Sequence, residues 1–371
     1  MRRVSTISSL VAASALVLAG CGDGGGGGTG GSESGGSSEG GSSSESVCES
    51  ADGDGPKIGV AYDVGGRGDL SFNDSAFSGV EQAVEELDAT CQEAEAQANE
   101  SEADREERLR LLAEAGFNPI IAVGFVYSPS AAKVAEEYPD TDFAVVDGYS
   151  TFITGDMVEI PNVADLNFAE EQGSFLVGVA AALTTKTDNV GFIGGTNTPL
   201  IQKFEAGFKA GVAEIDPKIT VQSEYLSQGD PVKGFENPTD GKTVAEGMYE
   251  KADVVYHAAG KSGLGLFDAV TEAGEGKYAI GVDSDQYLTA DEEQKPYILT
   301  SMLKRIDVAV LEYVTAFAEG DAPAGVALYD LKVDGVGYST SNEEAISGIQ
   351  DQIDEYAEQI KSGEIKVPSA P

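Results

Sequence analysis

The chain has 371 residues, with 64 acidic against 23 basic side chains and a formal charge of −41. So acidic a chain excludes nucleic-acid binding, which needs a basic footprint, and electrostatic attachment to anionic lipid. The length suffices for two lobes, and the acids are spread along the chain, as a heavily solvated surface or a saline habitat would have them.

Residues 1–20 read as a secretory leader. Arg2 and Arg3 make a positive start, and Val4 to Leu18 form an apolar core too short for a comfortable membrane span. The stretch closes on Leu18-Ala19-Gly20-Cys21, which resembles a bacterial lipobox, whose cysteine is diacylated and becomes the mature N-terminus. An ordinary cleaved signal followed by a chance cysteine is the alternative. Two lipid chains anchor well where one anchors marginally. Lipidated Cys21 is therefore expected to hold the protein on the extracytoplasmic face of the cell membrane. Residues 21–47 then form a tether of glycine, serine and glutamate that cannot bury surface. Its coil dimension is about 25–30 Å.

From Pro56 the pattern alternates strand and helix. Strands are expected at 58–62, 91–96, 120–123, 143–146, 190–193, 221–225, 254–257, 279–282 and 298–300. Helices are expected at 75–84, 102–114, 130–137, 170–184, 202–214, 243–250, 265–273, 307–319 and 342–361. This alternation implies an α/β fold with parallel sheets covered on both faces. The strands are too many for one comfortable sheet, so two similar lobes are expected. Cys48 precedes the first strand and Cys91 opens the second. In an exported chain an even pair suggests a disulfide; two unpaired thiols are the alternative.

The loop Asp63-Val64-Gly65-Gly66-Arg67-Gly68-Asp69-Leu70-Ser71-Phe72-Asn73-Asp74 leaves the C-terminal end of the first strand. Ligands of open α/β sheets sit at such ends. Phe72 offers a flat apolar face, and Asp63 and Asn73 offer hydrogen bonds, which together suit a flat polar heterocycle better than a phosphate. A plain loop, with Phe72 as an anchor and Asp74 as a helix cap, is the competing reading. Further strand ends are small or acidic: Asp147, Gly194-Gly195, Gly260 and Asp283. A carboxylate there can accept two hydrogen bonds from vicinal sugar hydroxyls. Gly260-Lys261-Ser262 is not a P-loop, because the first glycine of that motif would fall on Val255. His257 is the sole histidine, no serine sits in a nucleophile elbow, and no His/Cys cluster offers a zinc site. A binder is expected rather than an enzyme, with no cofactor and no metal.

Four stretches, taken together, resemble the signatures of the BMP (basic membrane protein) family of substrate-binding lipoproteins. They are the 63–73 loop, Gly191-Phe192-Ile193-Gly194-Gly195 with its continuation to Phe208, Gly281-Val282-Asp283-Ser284-Asp285-Gln286, and Thr300-Ser301-Met302-Leu303-Lys304-Arg305. They occur in family order from about Lys57 onward. The resemblance implies a type I periplasmic-binding-protein fold, two Rossmann-like lobes with parallel sheets joined by three hinge crossovers. These would lie near 165–168, just after Asp283, and near 320–325. The first lobe would comprise 48–166 and 284–321, the second 167–283 and 322–371.

The resemblance also implies uptake of a nucleoside, of the purine class. A monomeric receptor would hand it to an ABC permease driven by a separate ATPase. A receptor for a sugar or a vitamin heterocycle, or a surface sensor, is the alternative. Residue by residue, Phe72 matches an aromatic that stacks on the base, flanked by Asp63 and Asn73. Asp147 matches an acid facing base nitrogens, Asp283 a carboxylate gripping ribose hydroxyls, and Lys304 a donor to the ribose. Gly260 lies in a loop closing from the second lobe. The family's aromatic before Asp-Pro is missing here, where Leu226 and Gln228 stand before Asp230-Pro231; Phe235 could supply it instead.

Overall fold

Strands buried on both faces of a parallel sheet must be apolar on both faces. The stretches at 120–123, 143–146 and 254–258 meet that demand and are buried at every residue. The computed structural model describes residues 46–97, 99–153 and 160–371. The leader, Cys21 and the tether up to residue 45 lie outside the described residues. The strands are β1 (Lys57–Ala61), β2 (Thr90–Ala94), β3 (Ile120–Val123), β4 (Phe143–Val146), β5 (Val163–Phe168), β6 (Asn189–Thr196), β7 (Thr220–Ser227), β8 (Val254–Ala258), β9 (Tyr278–Asp283), β10 (Ile298–Lys304), β11 (Gly325–Tyr329) and β12 (Val336–Tyr338).

They form two six-stranded sheets, ordered β11-β5-β4-β3-β1-β2 and β12-β10-β9-β8-β6-β7. The orders correspond term by term, so β1 answers β6, β4 answers β9 and β5 answers β10. Every pairing is parallel except β10 with β12. This is the two-lobed α/β architecture expected. Its switch points lie between β1 and β3 and between β6 and β8, where crevices open beyond the carboxyl ends of strands.

The lobe boundaries differ from expectation. The chain leaves the first sheet after β5, and the helix Glu170–Thr184 packs on Pro199–Ile215 of the second lobe. Gly207 permits that contact, since a Cβ there would come within 2.1 Å of the Glu171 carbonyl. The second crossover follows Lys304 rather than Asp283. β10 pairs with β9, Met302 opposite Val282, and only then does the helix Ile306–Ala318 pack on Phe72–Leu87 of the first lobe. The third lies beyond β11, which pairs with β5 in the first sheet although it was expected in the second lobe. Apolar alternation reports that a strand exists, and its partners are set by contacts distant in sequence.

Three strands were not expected as strands. β5 carries Asp165, a charge inside a buried run, whose carboxylate accepts from Ser150 N, Thr151 N and Thr151 Oγ1 at 3.0–3.1 Å. β11 is an edge strand and β12 is three residues long. The final helix is broken into Glu343–Ile346 and Gln350–Ser362 at Ser347-Gly348-Ile349. Cys48 and Cys91 are joined in a disulfide that ties the short helix Val47–Ser50 to β2.

Candidate functional site

The first ligand loop runs into the helix Phe72–Leu87, which starts three residues earlier than its apolar pattern indicates. Asp69 explains the early start. Its carboxylate accepts from Ser71 N, Asn73 N and Asp74 N at 2.8–3.2 Å, satisfying donors at the helix start. Asp74, the cap on the competing reading, instead accepts from Gly68 N, Leu70 N and Arg67 Nε. Asn73 is largely committed to this scaffold. Its Oδ1 accepts Asp63 N at 3.2 Å and its Nδ2 donates to Asp69 at 3.1 Å. Phe72, on the other side of that turn, is left half-buried.

Asp147 directly follows β4 and Asp283 ends the corresponding strand β9, both in left-handed backbone, with φ 59° and 63°. Each turns its carboxylate toward the opening between the sheets. Lys304 ends β10 and is 2% exposed. Its Nζ lies 2.6 Å from the Asp147 carboxylate and 3.2 Å from Glu170. The rings of Phe72, Phe168 and Phe204 surround it, their centroids 5.0–5.6 Å from the ammonium. Such faces attract a cation. Glu170, fully buried, is shared with Lys203 at 2.9 Å.

One cleft collects all seven expected ligand residues: Asp63, Phe72, Asn73, Asp147, Gly260, Asp283 and Lys304. The space it leaves for water-sized molecules is about 60 Å³. The sequence reading did not assign Asp69, Phe125, Leu200, Phe204 or Lys261 to the site, and all five line it. Asp69 lies in the 63–74 loop, Leu200 and Phe204 in the continuation of the 191–195 stretch, and Lys261 beside Gly260, whereas Phe125 follows β3, where no motif was singled out.

Phe235 also lines the cleft, whereas Leu226 packs in the core of the second lobe and Gln228 bonds to Asn197. Gly195 makes room for it. A Cβ there would meet the Phe235 ring at 2.2 Å. Gly260, with φ 49°, starts the turn that seats beside the Phe235 carbonyl.

The electrostatics favour donors over anions. Burial pushes Asp63 and Asp283 up to about 7, against the Val64 N–H bond in one case and the Lys304 ammonium and Ser71 hydroxyl in the other. Burial opposes the charge on Lys304, but Asp147, Glu170 and Asp283 together hold it above the ordinary lysine value. Carboxylates thus outnumber ammonium groups around the cleft. A phosphate would be repelled, whereas hydroxyl and ring N–H groups would find acceptors. Among the described residues no group of three or more His, Cys, Asp or Glu could hold a metal ion.

A family model described as Bmp, ABC transporter substrate-binding protein PnrA-like, matches residues 56–370. The ABC transporter nucleoside-binding protein BmpA of Lactococcus lactis is 29% identical, over 99% of each chain. An uncharacterized lipoprotein of Pyrococcus abyssi is 34% identical, over 76% of this chain and 68% of its own. A crystal structure of an ABC transporter solute-binding protein from Aeropyrum pernix superposes with a TM-score of 0.72, at 29% identity, covering 85% of this chain and 93% of that one. Two matched lobes, a cleft at their strand ends and a family match across the folded region agree: the chain belongs to the Bmp family of PnrA-like ABC transporter substrate-binding proteins.

Proposed function

We propose that this substrate-binding protein takes a nucleoside, of the purine class, and delivers it to an ABC permease served by a separate ATPase. The observation that carries the reading is the composition of the cleft. Two aromatic rings, Phe72 and Phe235, line it together with Asp147, Asp283 and Lys304. The rings would hold the base, Asp147 would accept from base nitrogens, and Asp283 would accept ribose hydroxyls while Lys304 donates to the sugar. Stacking tolerates different bases, whereas a carboxylate left without its hydroxyl partner penalises an analogue. The name of the Lactococcus lactis relative supports the ligand class. Working as a monomer would leave the cleft free to face the permease.

The lipobox-like Leu18-Ala19-Gly20-Cys21 and the lipoprotein name of the Pyrococcus abyssi relative support a lipid anchor at Cys21, on the extracytoplasmic face. Among the described residues no helix is long and apolar enough to cross a membrane.

The test is calorimetry on the compact unit Glu45–Pro371, unfolded and refolded to strip carried-over ligand. Guanosine, inosine, adenosine, uridine, cytidine and free ribose would be titrated in turn. Tight binding of purine nucleosides with little ribose binding is expected. Silence across the nucleosides from folded protein would overturn the ligand and leave the family standing.

A further inference from the structure

The ligand loop meets the second lobe at Ser71, a residue the proposed ligand contacts do not use. Ser71 is fully buried. Its Oγ donates to Asp283 Oδ2 at 2.8 Å, with the Val282 carbonyl 3.3 Å away. In return, the Ser71 carbonyl accepts from Ser284 Oγ at 3.1 Å. Each lobe donates once and accepts once, across 212 positions of sequence.

Both sides of this contact are braced. In the first lobe Asp69 holds Ser71 N at 3.0 Å, and Leu70, with φ 51°, turns the chain into Ser71. In the second lobe Gln286 Oε1 holds Val282 N at 2.9 Å, and Gln286 N is held by Ser301 Oγ at 3.1 Å. Neither side has slack to follow the other, so parting the lobes breaks both bonds together.

We infer that Ser71 is the closure latch of this receptor, a positioning residue that couples Asp283 of the second lobe to the ligand loop of the first. The inference rests on the cleft being the substrate site. Closing the lobes takes the Asp283 carboxylate out of water, and an unmatched buried acceptor opposes closure. The Ser71 hydroxyl replaces one water on Oδ2 and leaves Oδ1 to a ligand donor. The closed state is thereby stabilised relative to the open one, and the effect falls on ligand escape more than on entry.

The test is hydrogen–deuterium exchange of the mature protein, with inosine dissociation measured alongside. Ser71→Ala should speed exchange in the 69–74 and 282–286 segments together. Ser284→Ala, made in the opposite lobe, should do the same although it leaves every residue of the ligand loop in place. Inosine dissociation from Ser71→Ala should quicken about tenfold, as for loss of a hydrogen bond to a charged group. The latch is overturned if Ser71→Ala loosens 69–74 alone, with 282–286 and the dissociation rate unchanged. It is equally overturned if Ser284→Ala leaves 69–74 as it was. Failure of the wild type to bind inosine counts against the ligand, while the paired exchange response still decides the latch.

Discussion

Lys304 Nζ lies 2.6 Å from the Asp147 carboxylate, although the two are 157 positions apart and stand at the carboxyl ends of strands in different sheets. The pair therefore spans the cleft near the second crossover. With Glu170 and Lys203 it forms a chain of alternating charge that runs from the first lobe into the second.

Lys304→Met should be severe. It leaves Asp147 and Glu170 facing each other without their shared cation. Breaking a buried pair from one side costs about 3–5 kcal/mol. Urea unfolding should register a loss of that order, with nucleoside binding abolished in whatever remains folded. Unchanged stability would mean that the ammonium is solvated rather than locked.

Asp283→Ala should weaken nucleoside binding by about 2–4 kcal/mol, as removing a buried charged acceptor does. Binding of a free base, which has no ribose, should change far less. Calorimetry with guanosine and guanine compares the two. Equal losses for both would move Asp283 from the sugar to the base.

Asp283 also sets a pH response. Its carboxyl titrates near 7 in the folded protein because of burial, against about 3.9 unfolded. Between those values the folded state holds a proton that the unfolded state has lost, so this group's contribution to stability declines as pH rises from about 4 to about 7. Asp63 acts in the same direction, and His257, lowered by burial to about 4, acts against both. The comparison with Asp283→Asn isolates one group. The variant's stability relative to wild type should grow from pH 4 to 7 and then level off. In ligand binding the sign reverses, because an ionised Asp283 is the better acceptor, so wild-type affinity should fall as pH drops below about 7.

Gly195→Ala tests the second aromatic. The added carbon meets the Phe235 ring at 2.2 Å, and the ring must move. Loss of one stacking face costs roughly 1–3 kcal/mol per base. Affinity should fall by that order with little change in melting temperature, and Phe235→Leu should reproduce it. Full affinity in both variants would leave Phe72 as the stacking surface.

The disulfide closes a loop of 43 residues. Chain-entropy arithmetic assigns such a crosslink about 4 kcal/mol. Cys48→Ser with Cys91→Ser should lower the urea midpoint accordingly, with nucleoside affinity retained, because the pair ties the short helix Val47–Ser50 to β2 and does not line the cleft.

Much of the site was legible because strand ends announce themselves. A buried apolar run followed by glycine or an acid marked the 63–74 loop, Asp147, Gly260 and Asp283, which line the cleft, and Gly194-Gly195, where Gly195 lies against the Phe235 ring. The missed residues have no such mark. Glu170 follows β5, which the sequence did not mark as a strand, and opens an ordinary helix, and its importance comes from Lys304 and Lys203, which lie far along the chain. Ser71 reads as loop filler until Asp283 is brought against it.

The sequence by itself determined nine of the twelve strands, most of the helices, the two-lobed α/β class and the family, since these follow from local periodicity and short motifs. Only the tertiary structure decided which lobe holds β10 and β11, which residue caps the helix Phe72–Leu87, and that Phe235 rather than Leu226 or Gln228 reaches the cleft. The physical reason is that hydrophobic pattern sets whether a segment is buried, whereas strand partners and cleft neighbours are set by packing between segments that the chain order keeps far apart.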